Sequence, residues 1–185
     1  MTDFKYKVLL YSDGSHQAFS AAVYTATLLK IIPNMHLTVV QVHERDEVSM
    51  ETEYSWINTW PVSPTSEWMK HVLDGSDTET KSEYHKILNK TNEIFLEHGL
   101  SVSHQELYSN SKISEISDTV DVILDYATKN LFELIVMGSR GLSSLKGLIF
   151  GSVAHYVLNK SEIPVLLIKK LPQDFIDNYL ADTEV

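Results

Sequence analysis

The sequence predicts an α/β fold, a mostly parallel β-sheet covered by helices on both faces. Short apolar runs alternate with segments whose apolar residues recur every three or four positions, giving the order β-α-β-α-β-α-β-α-β with one long insertion after the second strand. The apolar strand candidates lack polar alternation, as strands buried on both faces do. The chain has 185 residues, 43% hydrophobic and 22% charged, enough for one domain with a substantial core.

Each element has its own signal. Lys7–Tyr11 (KVLLY) is a buried strand, and the turn Ser12-Asp13-Gly14-Ser15 leads to a helix with Ser15 as its N-cap. That helix carries Ala18, Phe19, Ala22, Val23, Ala26 and Leu29 on one stripe and stops at Pro33-Asn34. His36–Val42 (HLTVVQV), rich in β-branched residues, is the second strand. Tyr84, Ile87, Leu88, Thr91 and Phe95 share one face of the next helix, which ends at Gly99. Val102–Tyr108 is a weaker strand. Ile113, Ile116, Val120, Ile123 and Ala127 form another helical stripe. Leu134–Met137 is a buried-type strand, a helix covers about Ser152–Asn159, and Pro164–Lys169 (PVLLIK) is the last strand. The expected organisation is one domain over residues 1–170 with a long insert at 44–77, followed by an acidic tail at 171–185 in which Phe175, Ile176, Tyr179 and Leu180 suit a helical turn or two.

Composition excludes several functions. Lysine plus arginine number 15 against 25 aspartates and glutamates, a net charge of −10, which disfavours a nucleic-acid binder. With no cysteine, disulfides, thiolate metal sites and thiol nucleophiles are ruled out. The longest apolar stretch, Ala18–Ile32, is broken by Ser20, Thr25, Thr27 and Lys30 and is shorter than the roughly 20 residues a membrane span needs. Val8–Tyr11 is too short for a signal core, so a cytoplasmic location without membrane contact is expected. The eight histidines show no H-E-x-x-H spacing, and no metal site is expected.

The chemistry concentrates in one segment. Four of the seven glycines fall between Gly138 and Gly151, and the pattern Gly138-x2-Gly141-x9-Gly151-Ser152 follows a buried strand and opens a helix. Glycines admit close approach of backbone N–H groups, and a helix N-terminus favours negative charge. Such a constellation suits a phosphate chain; the plainer reading is a loop with a glycine cap. The lysine of a P-loop and the G-x-S-x-G elbow are both missing. Arg140 and Lys146 are nearby cations, but no base stands out for phosphoryl transfer.

These residues resemble the universal stress protein family, whose ATP-binding members carry G-x2-G-x9-G-[S/T]. LIVMGSRG, GSVAHYVL and PVLLIKK are similar to the family's C-terminal half, and VLLYSDGS to its first strand. The resemblance covers residues 5–170 apart from the insert. It departs where the family often has Gly-Asp or Gly-Asn, here Tyr108-Ser109-Asn110-Ser111, and at the aspartate before the fourth strand, here Glu133.

The resemblance implies five parallel strands in the order 3-2-1-4-5, a Rossmann-like sheet of the adenine nucleotide alpha hydrolase type. The loops after strands one and four then meet at the point where the chain reverses direction across the sheet, a usual ligand crevice. By the same resemblance Asp13 contacts the adenine, Val42 presents backbone groups near the base, and Gly138, Ser139, Arg140, Gly141, Gly151, Ser152 and Val153 surround ribose and phosphates. The expected ligand is ATP, with AMP or ADP as alternatives and Mg2+ as companion of ATP. No catalytic residue is implied, and hydrolysis is at most slow.

The family also pairs its last strands, so a homodimer through Val165, Leu166 and Leu167 is expected. Two other readings stay open. One is a nucleotide-dependent enzyme of the adenylyl-transfer or pyrophosphatase type, for which the paired glycines of an S-G-G-x-D-S loop are lacking. The other is a dimeric interaction module without ligand. The insert, with Tyr54, Trp56, Trp60 and Trp68, is expected to serve as a lid or as the surface for a protein partner.

Overall fold

The computed structural model describes residues 5–44, 91, 93–95, 100, 102–109, 116–141 and 151–181. Residues 45–77 of the insert, residues 142–150 of the glycine segment, and Ile113 and Gly99 lie outside them. Five strands form one parallel sheet in the order β3-β2-β1-β4-β5, as the resemblance implies. They are β1 (Tyr6–Tyr11), β2 (Met35–Glu44), β3 (Val102–Ser109), β4 (Leu134–Gly138) and β5 (Val165–Ile168). Helices α1 (His16–Ile31), α2 (Ile116–Lys129), α3 (Ser152–Lys160) and α4 (Gln173–Ala181) cover it.

The central strand shows why the apolar runs form a sheet. Val8, Leu9 and Leu10 of β1 are completely buried, and each contributes about 1.5–3 kcal/mol by leaving water. Val8 and Leu10 face a core with Phe19, Ala22, Val23 and Ala26 of α1, Ile94, Phe95, and Ile176 and Tyr179 of α4. Leu9 and Tyr11 face the opposite core, with Val120, Ile123 and Ala127 of α2 and Ala154 and Val157 of α3. Alternation along Val8–Tyr11 thus serves two helical layers, which is why these four positions are apolar.

The helix boundaries follow local chemistry. Ser15 caps α1 by accepting a hydrogen bond from Ala18 N at 3.1 Å. At the other end Ile32 N closes on Leu28 O at 2.8 Å, and Asn34 turns the chain at a φ of 61°. Glu133, standing where the family has aspartate, accepts a hydrogen bond from Lys7 N at 3.0 Å and its own N–H donates to Lys7 O at 2.9 Å, joining the start of β4 to β1.

Two boundaries extend past the sequence expectation. Strand β2 runs from Met35 to Glu44 and β3 pairs with it up to Ser109. The tail segment is more than an acidic extension with a turn or two: α4 has nine residues and packs on α1. Leu171 N donates to Ser20 Oγ at 3.1 Å, Phe175 stacks on Tyr24 with ring centroids 6.5 Å apart, and Lys30 Nζ lies 4.5 Å from the centre of the Tyr179 ring. With Ile176 and Tyr179 inside the core, residues 173–181 belong to the folded domain.

Candidate functional site

The sheet order places the ends of β1 and β4 side by side, with Tyr11 in register with Met137. Here the chain leaves β1 toward α1 on one side and leaves β4 toward α3 on the other, which opens a crevice at the carboxyl edge. The cleft there is lined by Tyr11, Asp13, Met137, Gly138, Gly141, Ser152, Val153 and Ala154.

One wall comes from the turn after β1. Asp13 is 8% exposed, and its Oδ1 accepts a hydrogen bond from Ser15 N at 3.0 Å. Gly14 supplies the left-handed φ of 78° that lets the chain reverse between these two residues. Ser12 Oγ is buried at the same turn and has no hydrogen-bond partner among the described residues, an arrangement that native structures seldom leave unused.

The other wall is the turn after β4 and the start of α3. Ser139 N donates to Ile168 O at 2.7 Å, which anchors the turn to β5. Gly151 N donates to Ser139 O at 2.8 Å, which brings the far end of the glycine segment back to its beginning. Gly151 is the N-cap of α3 and offers no side-chain cap. His155 N bonds Gly151 O at 2.9 Å, so the N–H groups of Ser152, Val153 and Ala154 precede the first intrahelical bond and have no acceptor within the helix. An anion at this end meets those donors and the positive end of the helix dipole.

The glycines have a reason that spacing alone did not disclose. A β-carbon on Gly138 would stand 2.7 Å from Ala18 N and from the carbonyl carbon of Gln17, inside the first turn of α1. One on Gly151 would stand 3.0 Å from Arg140 Cα and from Gly141 N. One on Gly141 would run into Asp13 Oδ2. All three make room for the protein's own chain, and by closing the two walls together they shape the cleft.

The residues expected at the site divide into three groups. Asp13, Gly138, Gly141, Ser152 and Val153 line the cleft. Ser139, Arg140 and Gly151 frame it through backbone bonds and close contacts. Val42 is buried with Leu9, Tyr11 and Val40 in the core on the α2 side and is not among the lining residues. Sequence reasoning missed Tyr11, Met137 and Ala154. Their signal was positional: Tyr11 ends β1, Met137 is next to last in β4 and Ala154 lies in the first turn of α3, all bordering the quoted motifs.

Residues 6–169 match the model of the universal stress protein family. The chain belongs to the universal stress protein family. Among its relatives, the universal stress protein YxiE of Bacillus subtilis is 36% identical over 100 residues, 54% of this chain and 62% of that protein. The stress response protein NhaX of the same organism is 29% identical over 170 residues, covering 88% of this chain and 97% of its own. A universal stress protein solved in complex with cAMP shares the fold at a TM-score of 0.54 and 18% identity, covering 89% of this chain and 97% of that one. Within the family fold, the cleft lies where β1 and β4 adjoin.

Proposed function

We propose that this universal stress protein binds an adenine nucleotide, ATP, in the cleft between the β1 and β4 turns and acts by holding or sensing it. The observation that carries the reading is the meeting of Asp13 and Gly141 on opposing walls of one cleft, although they lie 128 positions apart in the chain. In this reading the Asp13 carboxylate accepts from the exocyclic amine of the base. The N–H groups at the start of α3 and the Ser152 hydroxyl receive phosphate oxygens. The residues fit such a ligand: a buried acceptor on one wall, uncapped helix donors on the other, and an exposed cation, Arg140, beside them.

Binding rather than turnover is the favoured activity, because among the described residues no base stands beside the helix end assigned to the phosphates. Hydrolysis at this site is at most slow, and Mg2+ would enter alongside the triphosphate. A second reading, a cyclic nucleotide in the same cleft, is favoured by the related protein solved with cAMP. Equilibrium titration with labelled ATP, competed by unlabelled AMP, ADP and cAMP, tests both. Saturable ATP binding that excess cAMP displaces only weakly supports the first reading. Preferential displacement by cAMP supports the second, and no binding of any of the four rejects both.

A further inference from the structure

Ser15 uses one oxygen to join three parts of the fold. Its Oγ accepts from Ala18 N at 3.1 Å, capping α1, and donates to Arg140 O at 3.2 Å, 125 positions along the chain. Its backbone N–H donates to Asp13 Oδ1 at 3.0 Å. The residue is 4% exposed, so water competes little for these bonds.

Three of the bonds that hold the β4 turn are those of Ile168 O on Ser139 N, of Gly151 N on Ser139 O, and of Ser15 Oγ on Arg140 O. The first two are backbone to backbone and stay on the β4 side of the cleft. The third is made by a side chain and comes from the wall that carries Asp13. We propose that Ser15 is a positioning residue for nucleotide binding: its hydroxyl fixes the distance between the two walls while its N–H fixes the orientation of the Asp13 carboxylate. It acts through Asp13, Arg140 and Gly141. The inference rests on the reading of the cleft as a nucleotide site.

The chemistry of the hydroxyl supplies the test. A hydroxyl accepts and donates at once, whereas an ionised carboxylate only accepts. Ser15→Thr keeps both bonds. Ser15→Asp keeps the helix cap, for which aspartate is as good as serine, and loses the bond to Arg140. Ser15→Ala loses both. A merely structural role follows the cap; a positioning role follows the bond to Arg140. Two readouts are taken, ATP affinity and hydrogen exchange of the Gly151 N–H in nucleotide-free protein. The second is independent of ligand and of any repulsion between an added carboxylate and phosphate.

The expected result is that Ser15→Ala and Ser15→Asp both weaken ATP binding about three- to tenfold, the size of one buried hydrogen bond, while Ser15→Thr stays within about twofold of the parent. Gly151 N–H exchange accelerates in Ala and Asp and is unchanged in Thr. Asp with the parent's affinity and exchange rate would overturn the proposal, as would unchanged exchange in both Ala and Asp. Should the parent chain bind no ATP, the nucleotide reading fails separately and the exchange measurement alone decides whether Ser15 ties the walls together.

Discussion

The carboxylate of Asp13 occupies the space that a β-carbon on Gly141 would take. The acidic residue after β1 and the second glycine after β4 are therefore one packing unit, and any side chain added at Gly141 displaces the Asp13 carboxylate. Gly141→Ala forces the Asp13 carboxylate to rotate, which breaks its bond to Ser15 N. The protein should remain folded, since a side chain can yield where backbone cannot, and ATP affinity should fall at least about tenfold, the combined loss of a hydrogen bond and a wall contact. Circular dichroism together with a binding titration checks both halves.

Gly138 presents the harder obstacle. Its added β-carbon meets the backbone of Gln17 and Ala18 at 2.7 Å, and a helix turn cannot step aside as a carboxylate can. Gly138→Ala should destabilise the fold by about 1–3 kcal/mol, the range for overpacking. Gly151→Ala, with its closest contacts at 3.0 Å, should cost less. Urea denaturation of the two variants gives the order directly, and a larger loss in Gly151→Ala would contradict it.

The β5 edge is apolar, and we expect two chains to pair there with Val165, Leu166 and Leu167 opposite their own copies. Sedimentation at micromolar concentration should give about 42 kDa, twice the 21.0 kDa of one chain. A Leu166→Lys substitution should shift the protein toward monomer, and an unchanged mass would place the interface elsewhere.

Helix α4 contributes to the core through Ile176 and Tyr179. Ile176→Ala removes three buried carbons from a site near the surface and should cost about 2 kcal/mol, the low end for such changes. A loss below a few tenths of a kcal/mol in urea denaturation would mean that α4 rests on α1 without supporting it.

Burial lowers the pKa of His104 from its ordinary value of 6.5. As pH falls below that value the unfolded chain takes up the proton first. The stability linked to neutral His104 is therefore fully present above pH 6.5 and is lost as pH falls through the lower folded-state value. Between about pH 7 and pH 5, His104→Gln should show a shallower decline in stability than the parent. An identical slope in urea midpoints across that range would count against it.

Much of the fold was legible because its elements announce themselves locally. VLLY and LIVMG are apolar throughout, and Pro33-Asn34 ends α1 where proline and a left-handed asparagine must. What stayed hidden was set by tertiary packing. Asp174 and Asp177 make the tail look solvated, and only the α1 surface that receives Ile176 and Tyr179 turns it into a core helix. Ser20 looked like an interruption in an apolar stretch, yet it holds Leu171.

The site was legible in its motifs and opaque in its reasons. The glycine spacing pointed to a ligand, but spacing carries no record of what fills the space beside each Cα. The structure shows that the first turn of α1, the Asp13 carboxylate and the turn backbone fill it. Tyr11 and Met137 read as ordinary strand residues because their side chains pack in the core while their position at the strand ends brings them to the cleft.

Calorimetric titration of the chain with Mg2+-ATP, run beside the Asp13→Ala variant, is the sharpest test of the proposal that the cleft between Asp13 and Gly141 holds ATP. Saturable binding with one nucleotide per chain is expected, weakened at least about tenfold in Asp13→Ala by loss of the base contact. Absence of binding at millimolar ATP, or equal affinity in a folded Asp13→Ala protein, would contradict it.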